Sequence, residues 1–263
     1  MSINWQEIVF SFFGGLGLFL FSIKYMGDAL QQSAGDRLRY YIDKYTSNPF
    51  LGVLVGIAMS ALIQSSSGVT VITVSLVSAG LLTLRQAIGI IMGANIGTTI
   101  TSFLIGFNLG DYGLPMIFVG SALLFFTSNG TLNNLGRIIF GVGGIFFAFN
   151  IMSGAMEPLK SIPAFQDYLT TLGDRPIMGV VIGTVLTMII QSSAAIIGIL
   201  QSLYTGNLID LHGAIPILLG SNIGTCITAV LAALGANVSA KRVAGAHILF
   251  NDIGTILFMI VLW

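Results

Sequence analysis

The sequence predicts an all-α polytopic membrane protein of two inverted repeats, each with three transmembrane helices and one re-entrant helical hairpin. Three observations carry that reading. Long apolar runs dominate the chain and only 8% of its residues are charged, where a soluble domain carries about a quarter. The sequence aligns with itself at a shift of about 127 residues. Each half also holds two apolar segments too short to cross a bilayer, meeting at a polar tip.

The self-alignment needs no gap through its central region. Pro49 falls on Pro176, Gly52 on Gly179, Gly56 on Gly183 and Gln64-Ser65-Ser66 on Gln191-Ser192-Ser193. Further along, Gly93, Asn95, Ile96, Gly97, Thr98 and Thr101 fall on Gly220, Asn222, Ile223, Gly224, Thr225 and Thr228. About 23 of the 53 positions from Pro49 to Thr101 are identical. Generic apolar composition can set Leu against Ile, but it cannot set Gln-Ser-Ser and Asn-Ile-Gly-Thr in one register. The duplication divides the chain into a first repeat over 1–127 and a second over 128–263.

Within the first repeat, residues 8–26 are long enough to span, and a polar stretch with Asp28, Asp36, Arg37, Arg39, Asp43 and Lys44 follows. Apolar segments over 49–63 and 68–82 flank the polar run Gln64 to Ser67. Fifteen helical residues cover about 22 Å, short of a bilayer core of about 30 Å. A hairpin over about 49–82 is therefore expected, with its tip packed in protein or facing a wet cavity. Residues 86–107 then span, interrupted at Ala94-Asn95-Ile96-Gly97, and 114–128 span again. The second repeat reads alike: 135–153, a hairpin over 176–206, 211–235 interrupted at Asn222-Ile223-Gly224, and 243–263. Three crossings per unit is an odd number, so tandem units sit upside down relative to each other, as in secondary transporters. The side facing residues 24–48 carries Lys24, Arg37, Arg39, Lys44, Arg85, Arg137, Lys241 and Arg242, against Lys160 and Arg175 on the other. The positive-inside rule makes the first side cytoplasmic and leaves both termini outside.

Composition excludes several classes. Ten basic residues balance ten acidic ones, so neither nucleic acid nor an acidic protein is an expected partner. Cys226 is the lone cysteine and reads as a small apolar helix residue. The N-terminus lacks a basic region and a cleavage site, and reads as the start of the first span. With only His212 and His247 as imidazole bases, no catalytic arrangement emerges and no enzyme is expected.

The chemistry lies in the repeated motifs. Serine hydroxyls and glutamine amides both donate and accept hydrogen bonds. At a hairpin tip the second helix also offers free N–H groups and the positive end of its dipole, a setting that holds an oxyanion. Ser65, Ser66 and Ser67, with Ser192 and Ser193, are the candidates for it. Helix carbonyl ends with Gln and Thr oxygens, at Gln64, Gln191, Thr101 and Thr228, suit Na⁺. The bland alternative is that the serines cap a broken helix. Asn95 to Thr98 and Asn222 to Thr225 read as discontinuities facing the tips, while Thr101 and Thr228 face the same cavity or bond their own backbone. Asp252 lies in the last apolar segment, beside Asn251 and close to His247. An intramembrane acid is a functional candidate: for Na⁺, for a proton, or for a pair with His247.

Paired Gln-Ser-Ser motifs, each followed about 30 residues later by Gly-Ala/Ser-Asn-Ile-Gly-Thr, resemble the type II sodium–phosphate cotransporter family and its bacterial relatives. The segments Leu81 to Ile88 and His247 to Asn251 are similar to that family as well, and the resemblance runs from about Gly14 to the end. It implies Na⁺-driven symport of inorganic phosphate by alternating access, in a multi-pass protein of the plasma membrane. By matching position it implies sodium ligands at Gln191, Ser192, Ser221, Thr225 and Thr228. Gln64, Ser65, Ser66, Ser67, Asn95 and Thr98 would help hold phosphate, joined across the repeat by Ser192, Ser193 and Asn222. Asn251 and Asp252 are candidates for coupling. Phosphate, sodium ions and the lipid bilayer are the expected partners, and a homodimer is admitted but not required. Another small oxyanion or a carboxylate as cargo, or an anion channel, stays open. Electrogenic animal members carry an acid in the stretch matching Phe118 to Ala122. Its absence here puts one sodium site and the coupling ratio in question. Many bacterial relatives of that family continue into a cytoplasmic helical domain beyond the stretch the resemblance covers, and the family's cytoplasmic C-terminus conflicts with the charge count.

Overall fold

In a computed structural model, residues 4–34, 48–107, 109–165 and 175–262 are described. Asp36, Arg37, Arg39, Asp43 and Lys44 of the polar stretch lie outside them. The described residues form helices and turns without strands. Ten α-helices are considered: α1 (Trp5–Ala34), α2 (Pro49–Ile63), α3 (Ser66–Ser78), α4 (Leu84–Gly106), α5 (Gly113–Phe126), α6 (Gly130–Met156), α7 (Pro176–Ile190), α8 (Ser193–Thr205), α9 (Leu211–Ala233) and α10 (Val238–Leu262). The bounds of α2, α3 and α4 map onto those of α7, α8 and α9 by the repeat shift at both ends. The duplication in the sequence is therefore a duplication of helices.

Five of the described helices, α1, α4, α6, α9 and α10, are long and apolar enough to cross a membrane. The expected crossing over 114–128 is a 14-residue helix, α5, preceded by a 3₁₀ turn at Gly110–Tyr112. At about 21 Å it falls short of a bilayer core. Phe125 and Phe126 at its end are 87% and 90% exposed, and Phe50 at the start of α2 is 82% exposed. Rings so open to water would make a soluble chain aggregate, and lipid is the solvent that suits them.

Local chemistry fixes the short helices. Asn48 caps α2 by accepting from the Phe50 N–H, and Pro49, with no N–H to satisfy, takes the first helical position. Gln64 ends α2 in a left-handed conformation at φ 55°, and Ser65 then caps α3. α7 also begins on proline, and Gln191 after it has φ 59°.

The helices fall into two compact units. One comprises Met1–Ser33, Ser102–Arg175 and Ile197–Ala214; the other Ala34–Thr101, Pro176–Ile196 and Ile215–Trp263. Each draws segments from both repeats. In the first unit α5 packs along α6; Gly15 of α1 faces Met152 of α6, and Gly198 of α8 meets the ring of Phe19. In the second unit α3 packs on α2 and α10, around a core that joins Met59, Val69, Ile90 and Ala94 of the first repeat to Ala229, Ala240 and Val243 of the second.

Glycine sets the closest contacts of the second unit. A Cβ at Gly56 would overlap the Ile90 carbonyl oxygen of α4, and one at Gly93 the Val53 carbonyl of α2. Gly183 and Gly220 stand in the same relation to the Ile217 and Val180 carbonyls, between α7 and α9. Small residues let helix backbones approach this closely in a membrane.

Candidate functional site

All the predicted site residues fall in the second unit, which is built from both repeats. The α2–α3 break begins at Gln64. Outside glycine, positive φ among the described residues occurs only at Gln64, Gln191 and Asn207. A left-handed residue with a Cβ costs about 1–2 kcal/mol, and the cost is accepted at the same position of both repeats. A left-handed residue ending a helix is a common C-terminal cap, and here it is a glutamine in both repeats.

The left-handed turn aims the glutamine amides. The Gln64 N–H bonds the Ser60 carbonyl at 2.8 Å, and its Nε2 donates to the Ala61 carbonyl. Gln191 repeats this: its N–H bonds the Thr187 carbonyl at 2.8 Å and its Nε2 donates to the Met188 carbonyl at 2.9 Å. A carbonyl only accepts, so each amide must turn its NH₂ to the backbone and its oxygen away from that carbonyl. The two oxygens then differ. Gln64 Oε1 accepts a bond from the hydroxyl of Thr101, which is 3% exposed. Gln191 is exposed, and Thr228, the counterpart of Thr101, donates to its own backbone at Thr225. Thr228 thus takes the backbone bond, while Thr101 is buried against the Gln64 side chain.

Ser65 and Ser192 do cap their helices: Ser65 Oγ accepts from the Gly68 N–H at 3.0 Å, and Ser192 Oγ from the Ala195 N–H at 3.2 Å. Capping takes a lone pair and leaves the hydroxyl hydrogen to give. Ser66, Ser67 and Ser193 carry no side-chain hydrogen bond among the described residues. They lie in the first turns of α3 and α8, beside N–H groups with no carbonyl to bond. Ser65→Ala or Ser192→Ala should cost about 1 kcal/mol through the lost cap, read as a lower apparent Tm in detergent.

The expected interruptions at Ala94 to Gly97 and Asn222 to Gly224 are not there. α4 and α9 run unbroken through both. Glycine serves approach instead of unwinding: a Cβ on Gly97 would lie 2.6 Å from the Ile57 carbonyl oxygen and 2.8 Å from Ser60 Cβ. On Gly224 it would lie 2.5 Å from the Thr184 carbonyl oxygen and 2.7 Å from Thr187 Cβ. The same contact brings hydroxyls together. Ser60 and Thr98 share a bond of 3.2 Å, and Thr187 donates to Ser221 at 2.9 Å, with Ser221 wholly buried. Thr98 and Thr225 also bond the carbonyls one turn back, at Ala94 and Ser221.

α10 contributes a buried polar stripe, His247, Asn251 and Thr255, one turn apart. Asn251 accepts from Asn95 Nδ2 at 3.1 Å and donates to the His247 carbonyl at 2.9 Å and to Cys226 Sγ at 3.2 Å. Thr255 donates to the Leu219 carbonyl at 3.4 Å. Asp252 does not pair with His247, whose ring nitrogens are buried without a partner. The two residues are five apart, which on a helix turns them onto different faces. Asp252 is half-buried, and Asn222 is exposed with no side-chain bond. Asn251, Ser60 and Thr187 hold the site together, and the period-four spacing of His247, Asn251 and Thr255 was the one sign of the stripe in the sequence.

Comparison with known proteins agrees with the motifs. The chain is 35% identical over 252 residues to the uncharacterized protein YqeW of Bacillus subtilis, covering 96% of this chain and 82% of that protein. It is 28% identical over 225 residues to the putative inorganic phosphate export protein YjbB of Escherichia coli, covering 86% of this chain and 41% of the relative. To the human sodium-dependent phosphate transport protein 2B it is 38% identical over 127 residues, 41% of this chain and 18% of that one. No solved structure matches it. The model of the Na⁺/Pi-cotransporter family matches residues 18–154 and 157–262, nearly the whole sequence and both copies of the motif, so this chain belongs to that family.

Proposed function

We propose that the chain is a sodium-coupled symporter of inorganic phosphate, working by alternating access in the plasma membrane. In this reading the repeats over 1–127 and 128–263 are inverted, and α2–α3 and α7–α8 are re-entrant hairpins whose tips meet the cargo. The observation that carries it is the pair of left-handed glutamines. Each gives its amide NH₂ to its own helix and keeps its oxygen as an acceptor, and each is followed at once by serines that open a helix. The two halves of that arrangement suit opposite charges. Gln, Ser and Thr oxygens at Gln64, Gln191, Ser192, Ser221, Thr225 and Thr228 suit a hard monovalent cation. Hydroxyl hydrogens of Ser65, Ser66, Ser67 and Ser193, with the free N–H groups of α3 and α8, suit phosphate oxygens. The anion needs no fixed positive charge if the cation travels with it, and the described parts of α2, α3, α7 and α8 carry none.

The name of the Escherichia coli relative, an inorganic phosphate export protein, supports a second reading of direction, in which phosphate leaves the cell. One reconstitution separates the readings. Purified protein in liposomes should accumulate radiolabelled phosphate when sodium is high outside and far less with choline in its place. Vesicles preloaded with phosphate, under the opposite sodium gradient, test the outward mode. Sodium-independent accumulation, or no phosphate flux, would overturn the symport reading, and flux that does not saturate would point to a channel.

A further inference from the structure

The hydrogen bonds of Asn251 settle which end of Asn95 is available, and that changes the role of Asn95. Asn251 lies on α10 in the second repeat, 5% exposed, and its Nδ2 reaches the His247 carbonyl one turn back at 2.9 Å. A carbonyl cannot donate, so Asn251 must face it with NH₂ and present Oδ1 on the other side. That oxygen lies 3.1 Å from Asn95 Nδ2 on α4. The Asn95 amide is thereby oriented in turn: one of its two N–H groups is taken by Asn251 on that side, and Oδ1, on the opposite side of the amide, makes no bond among the described residues and can only accept. Asn95 is half-buried, so that oxygen is not sealed in the core. An acceptor oxygen repels the oxygens of phosphate and attracts a cation.

We propose that Asn251 is a positioning residue that fixes the carboxamide of Asn95 with its oxygen toward the cargo, making Asn95 a sodium ligand and not a phosphate donor. This rests on the sodium-coupled reading above and moves Asn95 out of the phosphate set. The device belongs to one half only. The repeat counterpart of Asn251 is Leu124, which has no polar atom to offer, and Asn222, the counterpart of Asn95, makes no side-chain bond. An oxygen of the first repeat is thus aimed by a helix of the second. Cation binding on one repeat depends in this way on how α10 sits against α4 within their common unit.

Asn251→Ser tests the assignment without unmaking the helix, because a serine hydroxyl can still bond the His247 carbonyl one turn back while being too short to reach Asn95. Asn251→Leu, copying the first repeat, is the harsher companion. Both are reconstituted at equal protein per vesicle, and the KM for sodium is read at saturating phosphate and the KM for phosphate at saturating sodium. The sodium KM of Asn251→Ser should rise about tenfold, as for loss of one well-placed ligand, with the phosphate KM within about twofold of wild type. A general loss of folding would not separate the two constants. A phosphate KM that rises while the sodium KM holds, or two unchanged constants, would overturn the proposal. Wild-type uptake indifferent to sodium would instead overturn the parent reading, and is seen in the same vesicles before any variant is compared.

Discussion

Gly93→Ala and Gly220→Ala should each lower the apparent Tm by roughly 6–12 °C, the equivalent of about 3 kcal/mol in a chain of this size. Each new methyl would overlap a backbone carbonyl oxygen, of Val53 in one repeat and Val180 in the other. A carbonyl in a helix cannot swing aside as a side-chain end can, so the helices must part. Parting α2 from α4 also draws Ser60 from Thr98, and parting α7 from α9 draws Thr187 from Ser221. Surviving protein should therefore transport poorly. Gly245→Ala in α10 is the control, since a methyl there meets nothing within 4 Å. It should be neutral or stabilising by about 0.5–1 kcal/mol, the usual gain of Ala over Gly within a helix. Thermal unfolding in detergent, followed by the monodisperse peak on size exclusion, reads both. Equal Tm values for Gly93→Ala and Gly245→Ala would refute the close crossing.

Gln191→Gly separates stability from function more cleanly than alanine does. Glycine adopts the left-handed conformation freely, so the variant sheds about 1–2 kcal/mol of backbone strain. The side chain loses a single bond, to the Met188 carbonyl of its own helix. The protein should be at least as stable as wild type, yet its sodium KM should rise about 10- to 100-fold with the loss of an acceptor oxygen. Gln64→Gly should behave differently. It strands the buried Thr101 hydroxyl, so the relief of strain is offset by an unsatisfied group costing about 1–3 kcal/mol. If Gln191→Gly were both stabilised and fully sodium-dependent, the left-handed glutamine would be an accident of the turn.

Much of the fold was legible because its signals are local and repeated. A bilayer demands apolar runs of known length, so the spans could be counted from hydropathy. The register of Gln64 on Gln191 fixed the duplication before any helix was drawn, and the helix bounds repeat it. The 114–128 segment is a helix over nearly the same residues, Gly113–Phe126, and only its length sets it apart from the other spans. By sequence the glycines of α4 and α9 suggest unwinding, but both helices run unbroken. Glycine permits an unwound backbone and also permits a neighbouring helix to touch, and sequence alone does not separate these. Only the presence of Ile57 and Ser60 against Gly97 decides for contact.

The site was legible by residue type and not by role. Gln, Ser, Asn and Thr all donate and accept, so their presence names a polar site without assigning its charges. Asp252 drew attention as the intramembrane acid, while the neighbouring amide of Asn251 proved to be the residue tied into the network. The sequence by itself determined a membrane-embedded chain, its two copies, and the Gln-Ser-Ser and Asn-Ile-Gly-Thr positions where polar atoms gather, because span length and register are properties of the chain. The tertiary structure alone decided which atoms of each amide are bonded to the protein and which are left free. A carboxamide has two faces of opposite chemistry, and only its neighbours in space choose between them.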